Sequence, residues 1–142
     1  MQTLQGPAIF LAQFMADDEP FNTIDAMAQW VARLGFVGMQ VPIGNPAFID
    51  VGLAAHSKDY CDELRERVAA HGVEITELST HLEGQLVAVH PAYNEMFDGF
   101  APVQLRGNAT ARTEWAIEQV KLAAQASRNL GLTEHALSLI HI

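Results

Sequence analysis

Hydrophobic and polar positions alternate between two rhythms along this chain. Residues 7–14 form a nearly continuous apolar run between Gly6-Pro7 and Asp17-Asp18-Glu19-Pro20. Such a run predicts a strand buried on both faces. Asn22-Thr23-Ile24-Asp25 then carries a helix-start signal, with capping side chains and an early carboxylate. Apolar residues recur at Ile24, Met27, Ala28, Val31 and Leu34, one face of a helix that Gly35 stops. A second strand is predicted over 36–41, ended by Pro42, and a Gly-, Pro- and Asn-rich loop over 42–56.

Ser57 is the next cap. A helix from Lys58 to about Ala70 places Tyr60, Cys61, Leu64 and Val68 on one side. Asp59 and Asp62 lie near its start and Arg65 and Arg67 near its end, which complements the helix dipole. A third strand follows over 73–80, then a long loop over 81–108. A third helix runs from near Thr110 to Asn129, and a fourth strand opens at 132–135. Three times a helix ends in glycine and a strand starts at once: Leu34-Gly35-Phe36, His71-Gly72-Val73, Leu130-Gly131-Leu132. Strand, long loop, helix and short glycine turn make the βαβ unit of a parallel sheet. The fold class is therefore α/β, with functional loops expected at the strand C-termini. Three complete units and the start of a fourth fall short of the eight that close a barrel. The first loop carries no glycine-rich phosphate signature. The pattern leaves a small open α/β protein or the N-terminal part of a barrel.

The stretch after the third strand, STHLEGQLVAVHPAY over residues 79–93, is the most distinctive. With residues 10–14 and 34–40 it resembles the sugar phosphate isomerase/epimerase family, proteins with a xylose isomerase-like TIM barrel. The resemblance spans about residues 5–135 and is strongest in that stretch. It implies the N-terminal three and a half units of a (β/α)8 barrel. It also implies a parent enzyme that moves a proton next to a metal-polarised sugar carbonyl. The divalent metal (Mn, Mg, Co or Zn) and its carboxylate and histidine ligands are expected beyond this chain, so the fragment alone is expected to be inactive. Two alternatives stay open: a metal-dependent endonuclease at abasic DNA sites on the same barrel, and a small non-catalytic α/β binding protein.

Four residues are candidates for contact with a sugar. His81, where the third strand meets its loop, is placed to hydrogen-bond a hydroxyl. Gln40, near the end of the second strand, offers a neutral amide to the same pocket. Glu77, on the third strand, is a carboxylate facing either a barrel interior or a structural partner. His135, after the fourth strand, lines the pocket only in a complete barrel. No catalytic residue is assigned. Glu83 and Gln85 are read as shaping the pocket or satisfying loop backbone, the latter favoured for Glu83. His90-Pro91 reads as a rigid turn and Cys61 as a buried small hydrophobe.

Composition narrows the partners. The 142 residues carry 17 Asp+Glu against 8 Lys+Arg, a net charge of −9, and 49% are apolar. The chain can build a core, and its acidity argues against a nucleic-acid partner, which requires a basic face. A single cysteine excludes an intramolecular disulfide. No stretch approaches the ~20 apolar residues that span a bilayer. Asp17, Asp18 and Glu19 interrupt any secretory signal. The expectation is a cytoplasmic protein with a small-molecule sugar substrate, no membrane partner and room for homo-oligomers. Residues 1–136 read as the partial barrel domain. Residues 137–142 break the pattern and read as a non-native tail, of the kind left when a gene read runs into adaptor sequence; a genuine strand ending is the alternative.

Overall fold

The computed structural model describes residues 5–137. Its centre is a four-stranded, all-parallel sheet with strands in chain order: β1 (Ala8–Phe10), β2 (Gly38–Pro42), β3 (Glu74–Thr80) and β4 (His135–Leu137). The helices are α1 (Ile24–Arg33), α2 (Val51–His56), α3 (Lys58–Ala69), α4 (His81–Gln85), α5 (Asn94–Phe97) and α6 (Ala109–Asn129). The α/β class and the parallel pairing agree with the sequence pattern.

Local chemistry explains most boundaries. Thr23 Oγ1 accepts from the Ala26 amide at 3.3 Å and starts α1. Ser57 Oγ does the same for Tyr60 at 3.1 Å and starts α3. Gly35 and Gly72 take φ of +85° and +78°, the left-handed turn that ends each helix and releases the chain into the next strand.

The main core lies on one face of the sheet. Leu11, Met39, Val41, Ile75 and Leu78 meet Met27 and Val31 of α1, Leu64 and Val68 of α3, and Ala123 and Ala126 of α6. Register places Phe10 beside Gln40, and Gln40 beside Glu77, alternating with those core residues. These three side chains therefore share the opposite face, where they are only half-buried.

Several expectations change. The first strand is three residues long rather than 7–14. It is not buried on both faces: Ala8 is exposed and Ile9 and Phe10 are half-buried. The loop at 42–56 contains α2. Asp50 Oδ1 caps it through Leu53 N at 2.9 Å. Asn129 Nδ2 of α6 donates to the terminal carbonyls of Ala54 and Ala55 at 2.9 and 3.0 Å. Six residues are too few to show a helical period, so a partner 75 residues away in sequence completes the helix.

The long loop at 81–108 is a chain of short helical turns: α4, α5 and three single 3-10 turns. A second apolar cluster of Leu86, Phe97, Ala101 and Ala116 packs it onto α6. Arg112 of α6, only 1% exposed, clips it down. Its guanidinium donates to Asn94 O at 2.8 Å, to Asn94 Oδ1 at 2.7 Å and to the Asp98 carboxylate.

The fourth strand begins at His135, three residues later than the pattern suggested. Leu137, assigned by sequence to a non-native tail, pairs in register with Thr80. The rest of that tail, 138–142, lies outside the described residues. Cys61 is buried, its thiol donating to Ala54 O at 3.3 Å. Burial pushes that thiol up, away from a nucleophile's range.

Candidate functional site

The sheet has an irregularity that builds part of a site. Met39 pairs with Ile75, yet Gln40 pairs with Glu77, so Thr76 is an extra residue on β3. Its hydroxyl donates to Met39 O at 3.1 Å and holds the bulge. The shift carries Glu77 to the exposed face directly opposite Gln40. Gln40 Nε2 donates to Glu77 Oε1 at 2.6 Å. Two residues along β3 from Glu77, Ser79 is buried, and its hydroxyl has no hydrogen-bond partner among the described residues.

Beside this pair, at the C-terminal ends of β1, β2 and β3, lies a cleft of about 530 Å3. Phe10 and Met15 wall one side, Gly44 and Asn45 another, and His81 and Glu83 of α4 the third. The His81 ring meets Phe10 edge-on with centroids 4.8 Å apart. That contact fixes one face of the imidazole.

Glu83 is the unexpected member. It is 6% exposed. An added Cβ on Gly44 would lie 3.2 Å from its Oε1, so the carboxyl rests against the loop after β2. Burial pushes its carboxyl up, opposed only by a bond to its own backbone amide. No cation faces it among the described residues. Glu83 was read from sequence as satisfying loop backbone. The available signal was a carboxylate between Leu82 and Leu86, with the adjacent cations in sequence as distant as Arg67 and Arg106. Desolvation with no cation opposite shifts a carboxyl toward its neutral form.

The four residues expected from sequence part company. His81 lines the cleft. Gln40 and Glu77 pair on the adjoining open face, next to the cleft residue Phe10. His135 is not brought to the cleft. It pairs in register with Leu78, and its Nδ1 lies 3.2 Å from Ser127 Oγ of α6, on the helix-covered side. Its Nε2 lies 3.1 Å from Thr80 Oγ1. Burial lowers its pKa; Glu77 opposes that shift and His81 adds to it. Two hydroxyls and a neutral ring make this a structural hydrogen-bond bridge.

Among the described residues, no group of three or more His, Cys, Asp or Glu side chains is arranged to hold a metal ion. The donor set present does not fit a divalent metal, and no step is drawn through one. No described helix is long and apolar enough to cross a membrane. No known family model matches the chain, and no curated protein matches it either.

Proposed function

We propose that the chain forms the first units of a (β/α)8 barrel of the sugar isomerase/epimerase kind, and that its cleft holds part of a sugar. The observation that carries this reading is the strand order 1-2-3-4 with every strand parallel and the core on one face alone. Crossovers of one hand between consecutive strands put the crossover helices on one side. Parallel sheets are ordinarily covered on both faces. Closing into a barrel covers the second face, and it turns Phe10, Gln40 and Glu77 inward. The cleft then sits at the strand C-termini, where barrel enzymes hold their substrates.

In this reading His81 hydrogen-bonds a sugar hydroxyl. The Gln40–Glu77 pair presents an oriented amide and carboxylate to further hydroxyls. The reaction is proton transfer beside a sugar carbonyl. The abasic-site endonuclease draws no support from the charge distribution, since the cleft lining contains no Lys or Arg.

Ligand-observed NMR with D-xylulose and D-fructose on the full chain tests the reading. Wild type is expected to bind in the cleft, and His81→Ala to weaken binding about fivefold, the worth of one hydrogen bond of ~1 kcal/mol. Circular dichroism checks that the variant folds. Failure of both ketoses to bind, or indifference to His81→Ala, rejects the reading.

A further inference from the structure

We propose that this cleft takes an uncharged polyhydroxy compound and rejects its phosphate monoester, Glu83 being the wall that excludes anions. The inference rests on the sugar-binding reading above and names the substrate class of the same site.

The eight cationic side chains of the chain can all be located. Lys58, Arg67, Arg112 and Lys121 are paired with Asp62, Asp25, Asp98 and Glu118. Arg106 donates to the carbonyls of Ala101 and Gly99. Arg65 lines a separate groove beside Glu74, at the start of β3. Arg33 and Arg128 lie in the last turns of α1 and α6. Those helix ends feed the N-terminal edge of the sheet, opposite the cleft. Cations favour helix C-termini because of the helix dipole, and in a βα unit that preference draws them away from the strand C-termini.

None of the eight lines the cleft. The one acidic side chain in its lining is Glu83. A phosphate monoester carries a charge of about −1.5 to −2 near neutrality and is bound by Arg, Lys or clustered backbone amides. Here it would meet Glu83 instead. Ionised, that carboxyl repels the phosphate; neutral, it offers a single donor. The Glu83 carboxyl, buried in the cleft wall, can accept a hydrogen bond from a sugar hydroxyl. Of the other lining residues, Phe10, Met15 and Pro42 suit the C–H face of a sugar, and Asn45, His81 and Gln85 offer polar groups to its hydroxyls.

The test compares matched pairs on the full chain at about pH 8, above the ordinary imidazole range. The probes are D-fructose against D-fructose 6-phosphate, and D-xylulose against D-xylulose 5-phosphate, read by NMR titration. The neutral sugar is expected to bind at least about tenfold more tightly than its phosphate. Leu82→Lys then places a cation at the rim, at a residue already 47% exposed. It is expected to move the phosphate-to-neutral affinity ratio about tenfold toward the phosphate. Glu83→Gln, nearly isosteric, should move the ratio in the same direction and serves if Leu82→Lys does not fold. Equal or tighter binding of the phosphate by wild type overturns the inference while leaving sugar binding intact, as does a ratio that ignores both substitutions. If neither form of either sugar binds, the sugar-binding reading fails and this inference falls with it.

Discussion

Replacing Leu86 by alanine separates the two apolar clusters energetically. Leu86 is fully buried, and with Phe97, Ala101 and Ala116 it forms the small cluster that ties the 81–108 segment to α6. The substitution removes roughly three methylene equivalents, or ~2.4 kcal/mol of transfer free energy at about 0.8 kcal/mol each. A residual cavity raises the cost to about 3 kcal/mol. None of these residues belongs to the main core around Met39 and Leu78. The segment should therefore open as its own unit. Native-state hydrogen exchange reads this directly. Amides of Phe97 and Leu105 are expected to lose about two decades of protection, since 1.4 kcal/mol is tenfold. Amides of Val41 and Leu78, inside the sheet, should hold theirs. A uniform loss across both groups would show one cooperative unit, and no loss would show that the cluster is not what holds the segment; either refutes the reasoning. His81 and Glu83 stand on α4, immediately before Leu86, so the same variant should also weaken ketose binding in the cleft.

Three further outcomes are expected. His135 has a lowered folded pKa from burial, so as pH falls the unfolded chain takes up its proton first. Its contribution is complete above about pH 6.5, the ordinary imidazole value, and is lost as pH drops below it. Urea midpoints from pH 7 to pH 5 should fall in wild type, and less steeply in His135→Gln. Gly35→Ala meets no atom within 4 Å but must adopt φ of +85°. It should lower unfolding stability by about 1 kcal/mol through backbone strain alone, and an unchanged urea midpoint would refute that. Asn108 Oδ1 accepts from Ala111 N at 3.1 Å and starts α6. Asn108→Ala should cost about 1 kcal/mol, seen as a drop of ~2–6 °C in Tm for a chain of this size.

What the sequence determined by itself were the features governed by near neighbours. The stripe Ile24, Met27, Ala28, Val31 and Leu34 announced α1; the structure buries the first four and leaves Leu34, the C-cap, exposed. Ser57 announced α3, and Gly35 and Gly72 announced the turns into β2 and β3. These depend on helical period, a cap within three residues, or one φ value, all written locally. His81 was legible for the same reason, being the residue at which a strand ends. Only the tertiary structure decided the rest. α2 depends on Asn129, a distant donor to its last carbonyls. The pairing of Gln40 with Glu77 depends on the bulge at Thr76, since a one-residue slip turns a side chain to the other face. His135 went to the helix side because Ser127 and Thr80 supply hydroxyls there. Glu83 became a cleft residue because the loop after β2 comes across it at Gly44. Local sequence encodes which element forms. Which face a side chain takes, and what buries it, is set by residues far away in the chain.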